Sequence, residues 1–155
     1  MPLIGSIIFN AFFYLSLIPI TTIIISLYFF ISTKHLQSLG AVWIKVVLNA
    51  LKILCGVSWK VEGIENIPNT PCIVVSNHQG QWESFFLQTL FIPSTSIIKK
   101  ELLLIPLFGW ALRCMRPITL NRLNRVSSLK KVIKKGVIKL KNGFSIILFP
   151  EGTRI

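Results

Sequence analysis

One histidine and one glutamate lie five positions apart in a short polar stretch, residues 76–83. An apolar run, Cys72 to Val75, precedes this stretch, and another apolar segment follows it. The chain has only five acidic residues, none of them aspartate, and two histidines, so His78 and Glu83 bring two scarce residue types together. An imidazole that hydrogen-bonds a carboxylate through one nitrogen can act as a general base through the other. This stretch is therefore the best candidate in the sequence for acid–base chemistry.

The side chains of His78 and Glu83 can meet only if they belong to different elements. On one helix, residues five positions apart are rotated by about 140° from each other, so they do not face each other. The sequence permits another arrangement, in which a strand ends at Val75, a polar bend follows, and a helix carries Glu83 in its first turn. Two readings stay open here. The pair is either a catalytic dyad, or a loop histidine beside a carboxylate that the helix dipole stabilises.

A second polar group follows the apolar run Phe144 to Phe149. Gly152 and Thr153 could offer a backbone N–H and a hydroxyl to an anion, and Arg154 could offer a bidentate guanidinium to a phosphate. By itself such a loop is equally well explained as a plain turn. Lys100 and Arg122 add cations nearer the middle of the chain, where each alone is best explained as a solvated charge.

Strand and helix patterns alternate around these residues. Short apolar or alternating runs predict strands, and longer periodic segments predict helices. This alternation indicates an α/β fold, with a mixed or parallel sheet flanked by helices. The predicted strands are residues 59–64, 72–75, 96–99, 117–120 and 144–149, and the predicted helices are residues 81–91 and 127–141.

The N-terminal part of the chain has a different character. Residues 1–33 contain no charged side chain, and Leu3 to Ile31 exceeds the roughly 20 apolar residues that span a bilayer. Pro19 leaves two possibilities, a kinked span or two shorter interfacial helices. A second helix is predicted from Ala41 to Cys55. Its narrow polar stripe is typical either of a core helix or of a helix in the headgroup layer, and the neighbouring apolar segment favours the headgroup layer. That stripe is Lys45, Asn49 and Lys52.

Charge and cysteine content bear on the partners and the compartment. The net charge is +12, and every lysine and arginine lies at or after residue 34. A basic body behind an apolar end favours an anionic membrane over nucleic acid as the partner, and it places the body on the cytoplasmic side. Three isolated cysteines indicate a reducing compartment. We predict membrane-associated helices over residues 1–57 and a second domain over residues 58–155.

Three blocks of the sequence together resemble the glycerophospholipid acyltransferase superfamily, most closely its 1-acyl-sn-glycerol-3-phosphate (lysophosphatidic acid) acyltransferases. The blocks are Asn77-His78 to Glu83, Lys100 through Arg122, and Phe149 to Arg154. In this family an aspartate usually stands at the position of Glu83, and an acid often stands at that of Asn121. The family's fourth block would lie beyond Ile155, so we expect a domain that is incomplete at its C-terminus.

The resemblance implies an enzyme that transfers an acyl group to the sn-2 hydroxyl of lysophosphatidic acid, giving phosphatidic acid in phospholipid biosynthesis. The acyl donor would be acyl-CoA or acyl-carrier protein, with no metal and no other cofactor. The site would face the cytoplasm on a membrane, the inner or plasma membrane in a bacterium. Alternatives are another lysophospholipid or a glycerol-phosphate as acceptor, or an inactive membrane-binding fragment. The implied catalytic residues are His78 and Glu83, and the implied substrate-binding residues are Lys100, Arg122, Glu151, Gly152, Thr153 and Arg154.

Overall fold

The structure is a computed structural model that describes residues 2–78, 80–120 and 125–151. Helices and strands alternate after two long N-terminal helices. The helices are α1 (Pro2–Leu27), α2 (Thr33–Cys55), α3 (Trp82–Leu90), α4 (Phe108–Cys114) and α5 (Arg125–Lys141), with 3-10 turns at Ile64–Asn66 and Lys100–Leu104. The strands are β1 (Ile73–Val75), β2 (Ser94–Lys99), β3 (Ile118–Leu120) and β4 (Ser145–Leu148).

The four described strands form one sheet in the order β1-β4-β2-β3. Every neighbouring pair is parallel, which follows because a helix connects each strand to the next one in the sequence. Ile147 of β4 and Ile118 of β3 are almost completely buried. The predicted α/β architecture is confirmed, and of the two sheet types left open the described strands form the parallel one.

The register of the sheet fixes what lies at each of its two edges. Val75 pairs with Leu148, so the carboxyl ends of β1 and β4 lie side by side. Because all the strands run the same way, the segments that follow them share one edge of the sheet, and the segments that precede them share the opposite edge. His78 follows β1, so it belongs to the carboxyl edge.

Helices α1 and α2 form a hairpin. α1 runs without interruption through Pro19, so the alternative of two shorter helices is wrong. α2 begins at Thr33, eight residues before the predicted start, because Ser32 caps it and accepts the His35 N–H at 3.5 Å. It ends as predicted at Gly56, which adopts the left-handed conformation (φ 68°) that suits glycine at a helix end.

The hairpin packs against the sheet domain. Leu36 of α2, fully buried, forms an apolar cluster with Ile24 of α1 and with Ala111 and Cys114 of α4. Many apolar side chains on the other faces of both helices stay exposed, including Leu3, Ile7, Leu15, Val42 and Ile53. Both helices are long and apolar enough to cross a membrane. The exposed apolar faces make the hairpin a membrane-associated element, and the exposure of Lys45, Asn49 and Lys52 excludes a core position for that stripe.

The strand predicted at residues 59–64 is wrong. This segment is irregular and ends in the 3-10 turn at Ile64–Asn66, because Gly63 adopts a left-handed conformation (φ 73°) that interrupts an extended chain. Trp59 instead packs against α3, with ring centroids 5.5 Å from Trp82 and 6.4 Å from Phe86. The segment thus supports the start of α3, the element predicted to carry Glu83.

Gln37 joins α2 to the sheet by two hydrogen bonds. Its amide nitrogen donates to the Ser94 carbonyl at 2.6 Å, and its amide oxygen accepts the Ser94 N–H at 2.9 Å. We expect Gln37→Ala to lower the free energy of unfolding by about 1–3 kcal/mol, because buried Ser94 then keeps two unpaired backbone groups. Denaturant unfolding in detergent measures this change. Ser38→Ala, at an exposed neighbouring position, is the control, and an equal loss of stability in both variants would contradict the assignment.

Candidate active site

The candidate site lies at the carboxyl edge of β1 and β4. The ladder continues one step beyond β1, because the Ser76 N–H donates to the Leu148 carbonyl at 3.2 Å. Residues 80 and 81 form a bend, and the chain enters α3 at Trp82. This is the predicted order of strand, polar bend and helix, and it is confirmed. It places His78 between β1 and this bend, and Glu83 in the first turn of α3.

The two side chains meet. His78 Nδ1 lies 2.9 Å from Glu83 Oε1, and the same carboxylate oxygen accepts the Gly80 N–H at 2.8 Å. When the proton of the neutral imidazole is on Nδ1, it donates to the carboxylate and leaves Nε2 as the acceptor. The carboxylate therefore fixes the ring orientation and the tautomer. This arrangement can remove a proton from a hydroxyl group that lies near Nε2.

Two opposing effects act on the pKa of Glu83. Partial burial raises the pKa, and the backbone N–H groups of Gly80 and of Glu83 itself lower it, together with His78. The lowering prevails, so the carboxyl pKa is below its ordinary value. Glu83 is thus an ionised hydrogen-bond acceptor at neutral pH, as an orienting carboxylate must be.

The end of β4 holds His78 from the other side. Glu151 Oε2 accepts the backbone N–H of His78 at 2.7 Å. The Phe149 ring packs on the imidazole, with ring centroids 4.6 Å apart and planes tilted by 32°. Sequence reasoning placed Glu151 among the substrate-binding residues and missed this contact, which joins residues 73 positions apart. The contact makes Glu151 a positioning residue, and its role in substrate binding stays a prediction.

Aromatic side chains brace the start of α3 behind the dyad. Trp82 stacks on Phe86 with ring centroids 4.8 Å apart and planes within 11°, and Trp59 meets both at an angle. The Trp82 indole N–H is buried and finds no hydrogen-bond partner within the described part of the chain. These rings limit the movement of the first turn of α3, which carries Glu83.

The other predicted site residues divide into two groups. Lys100 is exposed and follows β2 directly, so it lies at the same edge as His78. Because β4 separates β1 from β2 and strands lie about 4.8 Å apart, β1 and β2 are about 10 Å apart. Arg122, Gly152, Thr153 and Arg154 lie outside the described residues, and their roles stay predictions.

Comparison of the chain with known proteins identifies its family. The family model described as "Acyltransferase" matches residues 58–155. The chain belongs to the acyltransferase family. It is similar to a 1-acyl-sn-glycerol-3-phosphate acyltransferase of Pseudomonas aeruginosa, with 42% identity over 113 residues. These residues are 73% of this chain and 44% of that protein. A Saccharomyces cerevisiae protein of the same name is 32% identical over 80% of this chain and 41% of its own length.

A solved structure agrees with this assignment. The crystal structure of the 1-acyl-sn-glycerophosphate (LPA) acyltransferase PlsC from Thermotoga maritima superposes with a TM-score of 0.76 at 26% identity. The match covers 99% of this acyltransferase chain and 62% of that one. The chain spans less than half the length of the two sequence relatives given above. The family suggested by the three sequence blocks is therefore confirmed.

The lowered pKa of Glu83 predicts a pH-dependent contribution to stability. A carboxyl group whose pKa is lower in the folded state than in the unfolded chain stabilises the folded state at any pH above the unfolded-chain pKa. The contribution should therefore be present above about pH 4.5 and should disappear as the pH falls through the lower folded-state pKa. We expect Glu83→Gln to melt at a lower temperature than wild type near neutral pH, with the difference closing in acid.

Melting curves of both proteins in detergent, recorded from neutral pH into the acid range, measure this difference. Glu101→Gln, which removes an exposed carboxylate, is the matched control. A gap between wild type and Glu83→Gln that stays constant with pH would show that the ionised carboxylate does not stabilise the fold.

Proposed function

We propose that this chain carries the catalytic base of an enzyme that acylates the sn-2 hydroxyl of lysophosphatidic acid, giving phosphatidic acid. The observation that carries the proposal is the hydrogen bond of 2.9 Å between His78 Nδ1 and Glu83 Oε1 at the carboxyl edge of the sheet. The names of the similar proteins supply the reaction class and the acceptor. The donor is an acyl thioester, either acyl-CoA or acyl-carrier protein.

The dyad can perform this reaction in two proton transfers. His78 Nε2 takes the proton of the acceptor hydroxyl as the oxygen attacks the thioester carbonyl carbon. The tetrahedral intermediate then collapses, the carbon–sulfur bond breaks, and the imidazolium returns its proton to the leaving thiolate. Glu83 stays ionised throughout and stabilises the imidazolium through Nδ1. The products are phosphatidic acid and a free thiol, with no acyl-enzyme formed.

The acceptor's phosphate requires cations near the dyad. We assign this role to Lys100, which shares the carboxyl edge with His78, and to Arg122 and the loop Gly152 to Arg154. A carboxylate is a poor ligand for a phosphate, and the Glu151 side chain already accepts the His78 backbone N–H. Glu151 therefore serves the dyad by holding His78 in place, next to the loop that would bind the phosphate.

The hairpin gives the enzyme access to lipid substrates. α2 packs on α3, where Trp43 of α2 and Phe13 of α1 both contact Phe85, with ring centroids 6.2 Å away in each case. The exposed apolar faces of α1 and α2 would lie in the membrane, so the acceptor's acyl chain could remain there during the reaction. The lysines after residue 33 support a position of the site on the cytoplasmic face.

The chain's two histidines allow a matched test of the catalytic base. We expect His78→Ala to lower the rate of acyl transfer by about a hundredfold or more, the usual contribution of a general base. His35→Ala should keep near-normal activity, because His35 is exposed and contacts Ser32 at the α2 cap. The assay uses membranes that contain the full chain, lysophosphatidic acid, and each donor type in turn. Near-normal activity of His78→Ala would reject the assigned role.

The same assay separates the alternatives. Activity with another lysophospholipid or with glycerol phosphate, and none with lysophosphatidic acid, would replace the proposed acceptor. Wild-type protein that binds membranes and transfers no acyl group to any acceptor would favour the inactive membrane-binding fragment.

Glu151 provides a separate test of positioning. Glu151→Ala should lower kcat by about tenfold to a hundredfold and leave the acceptor KM nearly unchanged, because a small misplacement of a catalytic group costs rate rather than binding. Glu151→Gln keeps an oxygen that can accept the His78 N–H, so it should recover most of the rate. Steady-state kinetics on the three proteins measure both constants. A raised acceptor KM with an unchanged kcat would instead show that Glu151 binds the acceptor.

A further inference from the structure

A pocket of about 440 Å³ opens at the edge of the sheet opposite His78. Pro93 and Phe144 line it, and they come directly before β2 and β4. Phe144 and Phe149 lie at the two ends of β4, five residues apart, which at about 3.3 Å per residue separates them by about 16 Å. Because Phe149 packs on His78, the pocket is distinct from the active site. We call it the basal pocket.

The polar lining of the basal pocket is cationic. Lys34 and Arg116 contribute positive charges, and Asn142 contributes an amide. All five glutamates lie in the described part of the chain, and the ion pairs found there use only Glu62 and Glu83, with Lys60 and His78 as partners. The charges of Lys34 and Arg116 are therefore not neutralised by any carboxylate side chain.

A third cation lies beside the pocket. Lys139 of α5 places Nζ 4.7 Å from the centroid of the Phe144 ring. Burial lowers the pKa of Lys139, and the charges of Arg116 and Lys135 lower it further. The repulsion between these cations identifies a region of concentrated positive potential, which a bound anion would relieve.

Arg116 is held in place at the rim of the pocket. Its guanidinium lies 5.8 Å from the centroid of the Tyr28 ring, and Nη2 is 3.5 Å from the Tyr28 hydroxyl. Its carbonyl accepts a hydrogen bond from the buried Thr95 hydroxyl at 3.3 Å. Its backbone is left-handed (φ 53°), a conformation that a side chain with Cβ rarely adopts. An arginine at a position that suits glycine points to a use for its side chain.

The first turn of α2 completes the lining. Ser32, Thr33 and Lys34 all line the pocket. The first intrahelical bond is that of the Leu36 N–H to the Ser32 carbonyl, so the amide groups of Thr33 and Lys34 precede the hydrogen-bonded part of this 23-residue helix. Such groups favour an anion, and here they add to the side-chain charges.

We propose that the basal pocket binds a phosphate group, separately from the acceptor's phosphate at the opposite edge. Its most suitable source is the headgroup of an anionic phospholipid. Phe29 and Phe30, in the turn between α1 and α2, are 85% and 82% exposed and directly follow Tyr28 of the lining. Exposed aromatic side chains at a helix turn enter the lipid interface, which brings adjacent cations to the level of the headgroup phosphates.

The first experiment measures binding of the full chain to vesicles of phosphatidylcholine, with and without phosphatidylglycerol. Arg116→Gly removes the guanidinium and suits the left-handed backbone, so this variant should fold. Arg113→Gln removes the same charge from an exposed α4 position outside the lining and is the control. Loss of one diffuse charge weakens binding by about fivefold. We expect a tenfold or greater loss for Arg116→Gly on anionic vesicles, a smaller loss for Arg113→Gln, and no change for either on phosphatidylcholine.

The second experiment identifies the source of the phosphate. Inorganic phosphate is added to the chain in detergent, with chloride at matched ionic strength as reference, and the melting temperature is recorded. One outcome is that phosphate stabilises wild type but not Arg116→Gly while the two variants bind vesicles equally. This result would support a phosphate site in the basal pocket and would identify its ligand as a soluble phosphate. Equal losses for Arg116→Gly and Arg113→Gln on vesicles, with no stabilisation by phosphate, would overturn the proposal. Neither measurement depends on acyl transfer.

Discussion

The parallel pairing of β1 with β4 is the constraint on which the site depends. β1 has only three residues and lies at the edge of the described sheet, with Ile73 and Val75 more than half exposed. Such a short strand cannot fix the bend that follows it. Three contacts with β4 and the residues after it fix this segment. They are the strand pairing, the hydrogen bond from the His78 amide to Glu151, and the packing of Phe149 on the imidazole. The imidazole of His78 is therefore positioned as much by β4 as by β1, the strand that precedes it.

The sequence predicted those parts of the site that depend on local geometry. The spacing of His78 and Glu83, with a strand before and a helix after, is enough to bring two nearby residues together. The contact between His78 and Glu151 depends on which strand lies beside β1, and non-local packing decides that. The segment around Trp59 shows the same limit of local prediction. Its residues alternate in polarity as in a strand, but the left-handed Gly63 and the contact of Trp59 with the rings of α3 determine its conformation.

The scarcity of carboxylates accounts for the distribution of charge in the molecule. Five glutamates face 17 lysines and arginines, and two of the five act on His78. A carboxylate that binds the imidazole or its amide is not available to neutralise cations elsewhere. Among the described residues, Arg116 and Lys139, which raise the positive potential near the basal pocket, form no ion pair with a carboxylate. The same composition thus accounts for the carboxylates around His78 and for the unpaired charges of Arg116 and Lys139 in the described part of the chain.

Helix α2 connects these two edges. A helix of 23 residues is about 35 Å long, so its first turn can line the basal pocket while Trp43, farther along, packs on Phe85 of α3. α3 in turn carries Glu83 in its first turn. The exposed apolar side chains of α2, such as Val42 and Ile53, belong to the same rigid element. The exposed apolar faces, the basal pocket and the orienting carboxylate are therefore linked through one helix, and Gln37 secures that helix to the sheet.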